Sequence, residues 1–179
     1  MRFFSGILFG FFLVGAIIAA VVATGGYNVA ATASPSRLES RVAQFALNRS
    51  VAHRAPLAKN PQPATPDTWK VGLAHYRENC VMCHAAPGVQ PAELGMGLNP
   101  PAPDLTLPRV QARPDGELFW LVANGIRTTG MPAFSPTHKP DEIWTIVAFL
   151  RHLPELTAEE QKALKSEPSD HKEDPAPTR

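Results

Sequence analysis

Two cysteines and a histidine stand together at Cys80, Cys83 and His84, and these are the only two cysteines in 179 residues. Thiols separated by two residues on one turn of chain can reach two vinyl-derived carbons on one edge of a porphyrin and form thioethers. The histidine that follows then lies under the iron, where one ring nitrogen binds the metal and the other donates to a nearby acceptor. The CxxCH spacing is therefore the attachment signature of a c-type haem, with His84 as the proximal iron ligand.

Other interpretations of the same five residues exist. A structural zinc site needs four ligands, usually from a second cysteine pair or two spaced histidines, and the chain has no second pair. A dithiol redox motif places a thiol at a helix N-terminus, typically beside a βαβ pattern. Here a helix-like segment precedes Cys80 and none obviously starts there. Haem attachment is therefore the favoured interpretation, with zinc binding and dithiol chemistry as the alternatives.

The N-terminal segment is apolar and long enough to cross a membrane. Residues 3–23 carry no charge, and Ser5 supplies their only hydroxyl. As a helix rising about 1.5 Å per residue, this segment spans the roughly 30 Å hydrocarbon core of a bilayer. A cleaved secretory signal is the competing interpretation, because Ala31-Thr32-Ala33 is a plausible cleavage site. We expect an uncleaved transmembrane anchor over residues 1–24.

Residues 25–64 are expected to form a basic connecting region. Ser34-Pro35 supplies a helix start, and the pattern predicts an amphipathic helix from about Pro35 to Ala52. Its apolar residues recur at positions i, i+4 and i+7: Leu38, Val42 and Phe45. This helix either touches lipid headgroups or a redox partner, or packs on the domain that follows, and we favour packing. Four prolines between Pro56 and Pro66 predict a stiff linker.

Three main helices are predicted over residues 65–153. They cover residues 66–79, 115–124 and 140–152. Thr65 and Pro66 supply the N-cap and first position of the first helix, and Gly125 ends the second. Residues 85–114 are expected to form a long loop, which suits the wrapping of a cofactor. No convincing strand pattern occurs, so we predict an all-α fold with three helices around a cofactor.

The composition and the C-terminal end add two expectations. A formal net charge of +1 gives no indication of nucleic-acid binding. Thr157 opens a sequence that could cap one more short helix, and we expect disorder after Ser166. Residues 154–179 are thus assigned to a polar, largely disordered tail.

Residues 65–153 resemble the single-haem, class I cytochromes c. The resemblance rests on four elements in the family's order: Gly72, Tyr76 and Cys80 in GxxxYxxxCxxCH, then Pro103-Asp104-Leu105, Asn124-Gly125-Ile126 and Gly130-Met131-Pro132. It implies the cytochrome c fold, with three main helices wrapped around one covalent haem. In that fold the first helix crosses the C-terminal helix closely. Here Gly72 would permit the approach, with a partner surface made by Trp144, Ala148 and Phe149.

The resemblance also implies the sixth iron ligand. In the family this ligand is a methionine of the last loop, which in this chain is Met131. A thioether is soft and uncharged, so it favours ferrous iron and raises the reduction potential relative to two histidines. Met96, twelve residues after His84, is the rival methionine.

Further contacts with the haem follow from the same resemblance. The Pro103 carbonyl is the expected acceptor for the second ring nitrogen of His84, and Leu105 is expected to pack on the porphyrin. The spacing from His84 to Pro103 exceeds that of compact family members, which suggests an insertion at residues 85–99. Additional candidates for the haem wall are Trp120, Ile126 and Phe134.

The expected function is one-electron transfer. With His84 and Met131 both bound, the iron has no open position for a substrate, so we predict a carrier between redox enzymes, or the electron-transfer subunit of one, and no enzymatic activity of its own. A haem enzyme or gas sensor with a displaceable Met131 is the alternative. A subunit whose haem only organises the fold is a third hypothesis.

The charges flanking the apolar segment leave its orientation open. Arg2 favours an inside N-terminus, while Arg37 and Arg41 lie near the other end. In the family the haem is attached after export, which implies a single-pass protein of the bacterial inner membrane with its cytochrome domain in the periplasm. Its partners would be respiratory redox proteins in the membrane or periplasm. Cleavage near Ala33 would instead give a soluble periplasmic protein.

Overall fold

The computed structural model describes residues 2–165, with side chains from Phe4 onward. In this range the chain is helical and has no strand, apart from an isolated bridge between Ala86 and Val89. The helices are α1 Arg2–Ala23, α2 Arg37–Arg54, α3 Pro66–Asn79, α4 Val81–His84, α5 Glu93–Met96, α6 Pro108–Gln111, α7 Asp115–Asn124, α8 Pro140–His152 and α9 Ala158–Lys165, with a 3-10 turn at Leu153–Glu155. The predicted all-α fold is confirmed. The predicted disorder after Ser166 lies outside the described residues.

The chain divides into two compact units, Met1–Ser34 and Pro35–Arg179. Helix α1 belongs to the first unit. Its segment Phe4–Ala23 is 20 residues long, has a mean hydropathy of 2.7 and has no buried side chains. By length and composition this helix could cross a membrane, although a signal sequence has the same properties.

Helix α2 begins at Arg37, two residues later than Pro35, the predicted first position. Ser36 is the N-cap, and it forms a capping box with Glu39: the Ser36 hydroxyl accepts from the Glu39 amide at 3.1 Å, and the Ser36 amide donates to the Glu39 carboxylate at 3.3 Å. The reciprocal pair satisfies two backbone donors, which explains why Ser36 rather than Ser34-Pro35 starts the helix. Near the other end, Val51 is fully buried beside α7. The expected packing on the domain is thus confirmed for the C-terminal part of α2.

Helices α3 and α8 cross at Gly72. A methyl group added there would lie 2.5 Å from the Phe149 Cβ and 2.8 Å from the Thr145 carbonyl oxygen, so only glycine fits this approach. Phe149 also contacts the Tyr76 ring, with ring centroids 5.5 Å apart. The predicted crossing of α3 and α8 is therefore present.

The expectation that Trp144 takes part in this crossing is wrong. Its ring stacks on Phe119 with centroids 4.3 Å apart, in a second cluster with Leu118 and Val147. At about 100° per residue, Trp144 and Phe149 point some 140° apart around α8. Helix α8 therefore buries two faces, one against α3 and one against α7.

The proline-rich stretch is packed on the domain and is not a free spacer, contrary to expectation. The Asn60 amide donates to the Asp115 carboxylate at 3.0 Å, and its side-chain nitrogen donates to the Trp144 carbonyl at 2.9 Å. A side chain at Gly116 would overlap the Pro56 carbonyl, so the linker lies directly on α7.

The short helix predicted after Thr157 is present as α9, and it is part of the packed unit. Leu153, Leu156 and Leu164 are buried in the same core as α3 and α8. The His152 ring stacks on Trp69 with centroids 4.0 Å apart and lies 3.0 Å from the Glu160 carboxylate. Packing therefore continues to residue 165, beyond the predicted domain end at residue 153.

Candidate haem site

The cysteine motif sits where α3 ends. Cys80 caps α3 through its amide, which donates to the Tyr76 carbonyl at 2.8 Å. The next residues form the single turn α4, in which the Cys83 and His84 amides both donate to the Cys80 carbonyl, at 3.0 and 2.9 Å. A helix does start after Cys80, contrary to expectation, but it is only four residues long. Both thiols therefore lie on one turn of chain, as thioether attachment to a single porphyrin edge requires.

The thiol environment does not suit the two alternative chemistries. Burial raises the pKa of Cys80 to about 12, and the neighbouring Cys83 adds to the effect. Redox-active dithiols need the opposite shift, because the thiolate is the reactive form. Within residues 2–165, no group of three or more His, Cys, Asp or Glu side chains is arranged to hold a metal ion. Zinc binding and dithiol exchange thus find no support in this geometry.

The His84 ring is held in a defined tautomer. Its Nδ1 lies 2.9 Å from the Pro103 carbonyl oxygen, which can only accept a hydrogen bond, so Nδ1 carries the proton. The lone pair is then on Nε2, where it is available to a metal. Burial lowers the pKa of His84 and favours the neutral ring, although the hydrogen bond to Pro103 acts in the other direction. The structure therefore contains the contact that the resemblance implied.

Tyr76 fixes the chain where it leaves this turn. Its side chain is fully buried, and its hydroxyl donates to the Ala85 carbonyl at 2.5 Å. Ala85 has a positive φ of 57°, a conformation that costs energy for a residue with a side chain. Burial raises the pKa of Tyr76, with smaller contributions from Cys80 and Asp104, so the hydroxyl keeps its proton and remains a donor.

Met131 lies on a short loop braced by its own hydrogen bonds. The Ile126 amide donates to the Met131 carbonyl at 3.2 Å, and the Met131 amide donates to the Thr129 hydroxyl at 3.2 Å. The same hydroxyl donates to the Ile126 carbonyl at 2.8 Å. Gly125 ends α7 with φ +63°, and a methyl group there would lie 2.6 Å from Pro132 backbone atoms. The chain can return past the helix end only because residue 125 has no side chain.

Residues 85–99 contact both the cysteine turn and the methionine loop, a role that their sequence alone did not indicate. The Ala92 amide donates to the Met82 carbonyl at 2.9 Å, and a methyl group at Gly95 would lie 2.8 Å from the Cys83 Cα. Further along, Leu98 occupies the space that a side chain at Gly130 would need. The segment also contains α5, so it is not a structureless insertion. The sequence signal was glycine at positions 95 and 130, where neighbouring backbone or side chains approach closely.

The residues expected to hold a haem are half-buried apolar groups gathered on the main core. Cys80, Leu105, Met131 and Phe134 all pack against it while keeping part of their surface exposed. Trp120 on α7 and Ile126 in the methionine loop are also half-buried, and Pro103 is exposed. Large apolar side chains with one covered side and one open side fit a flat hydrophobic group that covers the rest. The residues present therefore fit a haem.

Helices α3, α7 and α8, joined by a CxxCH turn and a braced methionine loop, define a c-type cytochrome domain. A family model described as "Cytochrome C oxidase, cbb3-type, subunit III" matches residues 67–150, which include all of α7 and nearly all of α3 and α8. The resemblance to c-type cytochromes is thus confirmed, and this domain implies covalently bound haem c and electron transfer. None of the curated proteins compared with the chain matched it.

Proposed function

We propose that this protein is a membrane-tethered one-electron carrier with one haem c. The haem would be attached through Cys80 and Cys83 and held axially by His84 and Met131. The observation that carries the proposal is the 2.9 Å hydrogen bond from the Nδ1 atom of His84 to the Pro103 carbonyl oxygen. This bond fixes the ring and leaves the Nε2 atom, on the other side of the ring, available to bind iron. A cysteine turn alone would not orient a ligand in this way.

Each residue has a separate task in this proposal. The bound haem supplies an iron that exchanges one electron between its ferric and ferrous states. Pro103 fixes the His84 ring, and the Thr129 hydroxyl holds the backbone of Met131. With His84 and Met131 both bound to the iron, no position would be open to a substrate, which suits electron transfer rather than catalysis. The proposed wall residues that exclude water are Leu105, Trp120, Ile126 and Phe134.

We further propose that α1 remains as a membrane anchor and that residues 24–36 form the tether. A tether confines the domain near the membrane and raises its effective concentration toward membrane-bound partners. The domain would lie in the periplasm at the bacterial inner membrane. The matching family description names an oxidase subunit, so the partner class we propose is a membrane oxidoreductase of the respiratory chain, with this chain as its electron-transfer subunit or its carrier.

Attachment and anchoring are tested together by haem staining of a denaturing gel. Membrane and soluble fractions are compared for the wild type and for the Cys80→Ser, Cys83→Ser double variant. Covalent haem in the membrane fraction that survives alkaline carbonate extraction supports the proposal, and the double variant should show no stained band. A colourless wild-type protein from cells able to attach haem overturns the proposal. Stained protein found only in the soluble fraction overturns the anchor alone.

The axial methionine is tested by optical spectra of Met131→Ala, with Met96→Ala as the matched control. Met96 is 67% exposed on α5, so its removal should leave the spectrum unchanged. Loss of the low-spin methionine signature in Met131→Ala alone supports the assignment. Loss in Met96→Ala instead would assign the ligand to Met96. Ready binding of carbon monoxide by the wild type would favour the haem enzyme or gas sensor.

A further inference from the structure

Helix α2 has a second apolar face that the domain does not cover. Leu38, Val42 and Phe45 are 73%, 59% and 67% exposed, whereas Val51 is fully buried. At about 100° per residue, the three exposed side chains fall within roughly 60° of each other around the helix, and Val51 lies about 150° away from their centre. We name the residues Leu38, Val42 and Phe45 the outward face of α2. Helix α2 packs on the domain through Val51, on the side opposite to the outward face.

The outward face is surrounded by positive charge. Helix α2 contains four arginines, Arg37, Arg41, Arg49 and Arg54, and one acidic residue, Glu39. By the same angular count, Arg41 and Arg49 lie within about 70° of the centre of the outward face. Glu39 is engaged in the capping box at the helix start. An apolar stripe flanked by arginines is typical of a helix that lies in the headgroup region of an anionic bilayer, with its arginines extended toward phosphates.

Chain connectivity keeps this face near a membrane. Helix α1 ends at Ala23 and α2 begins at Arg37. The residues between them span at most about 45 Å when fully extended, at about 3.5 Å each. We propose that the outward face of α2 docks on the anionic lipid surface of the membrane that α1 anchors, an inference that rests on the proposed anchor. Charge and tether length both favour lipid over a second copy of the chain, for which the basic helices would repel each other.

Docking of α2 would also orient the cytochrome domain. The Asn48 side chain on α2 accepts from the Arg113 guanidinium at 2.6 Å, and the linker that follows α2 packs on α7. Helix α2 is therefore attached firmly at its C-terminal end to the domain it would present to a partner. A docked α2 restricts rotation of the domain about its tether, so one face of the domain would point toward membrane-bound partners.

The test compares spin labels at two adjacent positions of the full-length holoprotein reconstituted in vesicles. Val42→Cys places a label on the outward face, and Ala43→Cys places one about 100° around the same helix at an exposed position. Cys80 and Cys83 do not react when they form thioethers. In vesicles containing phosphatidylglycerol, the Val42 label should be accessible to oxygen dissolved in lipid, and the Ala43 label to a water-soluble nickel complex. In vesicles of phosphatidylcholine alone, the difference in accessibility between the two labels should be smaller.

Two further results decide the inference. Each of Arg41→Gln and Arg49→Gln should lower the ratio of docked to undocked helix about fivefold, the equivalent of about 1 kcal/mol per basic residue at an anionic surface. If both labels are equally accessible to the water-soluble nickel complex, the inference is overturned. A Val42 label shielded from both reagents also overturns it, because that pattern means contact with protein. Carbonate extraction of the same sample distinguishes failure of the anchor from failure of the docking. A chain released from the vesicles refutes the anchor. A chain that stays in the vesicles but whose two labels are equally accessible refutes only the docking.

Discussion

The crossing of α3 and α8 at Gly72 can be tested by adding one methyl group. In Gly72→Ala the new Cβ would lie 2.5 Å from the Phe149 Cβ and 2.8 Å from the Thr145 carbonyl oxygen. Ordinary contacts between such atoms are about 3.5 to 4.0 Å. The two helices must therefore separate by about 1 Å at this point. Neither obstructing atom can rotate away, since one is backbone and the other is the first carbon of its side chain.

The expected cost follows from these distances. Adding a methyl group to a close-packed site lowers the free energy of unfolding by about 1–3 kcal/mol. Because no flexible side chain can move aside here, we expect a cost at the upper end, about 3 kcal/mol. Alanine is favoured over glycine within a helix by about 1 kcal/mol, which offsets part of the cost. We expect a net loss of about 2 kcal/mol in the free energy of unfolding. For a unit of this size, that loss lowers the melting temperature by about 8 °C.

The assay is thermal unfolding of the oxidised holoprotein followed by far-ultraviolet circular dichroism. Gly97→Ala is the matched control, because its new Cβ would meet only the Leu94 and Glu93 carbonyl oxygens, at ordinary distances of 3.6 and 3.7 Å. The control should stay within about 2 °C of the wild type. A Gly72→Ala protein that melts with the wild type, or a control that falls equally far, would refute the reasoning.

Three other predictions follow from the polar contacts. Arg151 donates to the Asp115 carboxylate and to two backbone carbonyls, so Arg151→Met should cost about 2–3 kcal/mol in urea unfolding, and a loss under about 1 kcal/mol would contradict this. Burial by itself would raise the pKa of Asp115, but the Asn60 amide and Arg151 hold it below its usual value. Ionised Asp115 therefore stabilises the fold at pH values above its unfolded pKa of about 3.9. Acidification from about pH 5 to pH 3 should lower the free energy of unfolding of the wild type more than that of Asp115→Asn. Equal losses in the two proteins would exclude this role. Thr129→Val removes the hydroxyl that accepts from the Met131 amide, so the ferric protein should bind added imidazole about fivefold more tightly. Thr129→Ser keeps the hydroxyl and should bind imidazole as the wild type does. An unaltered affinity in Thr129→Val would show that the methionine loop does not depend on this hydrogen bond.

Features set by a few neighbouring residues could be predicted from sequence. Thr65 with Pro66 starts α3, and Gly125 ends α7 in the left-handed region, as their residue types indicate. Where two local signals compete, as at Ser34-Pro35 and Ser36, the pattern alone gave the wrong start for α2. The capping box with Glu39 resolves that competition.

Contacts between distant parts of the chain were not predictable in the same way. The face that Trp144 presents depends on where α7 lies, and the binding of Asn60 to Asp115 depends on the path of the linker. The contact of Leu98 with the Gly130 site likewise depends on how residues 85–99 fold back. Helical spacing shows which side chains share a face, but it does not show which element covers that face.

The amino-acid sequence by itself determined the three main helices α3, α7 and α8, their ends and the spacing of the cysteine motif, because each depends on propensities and hydrogen bonds within a few residues. Only the tertiary structure decided that the linker packs on α7 through the contact of Asn60 with Asp115, and that the outward face of α2 stays uncovered. These two properties depend on which segments meet in space. Their physical cause is the close packing of α3, α7 and α8, which sets the path of every loop around them.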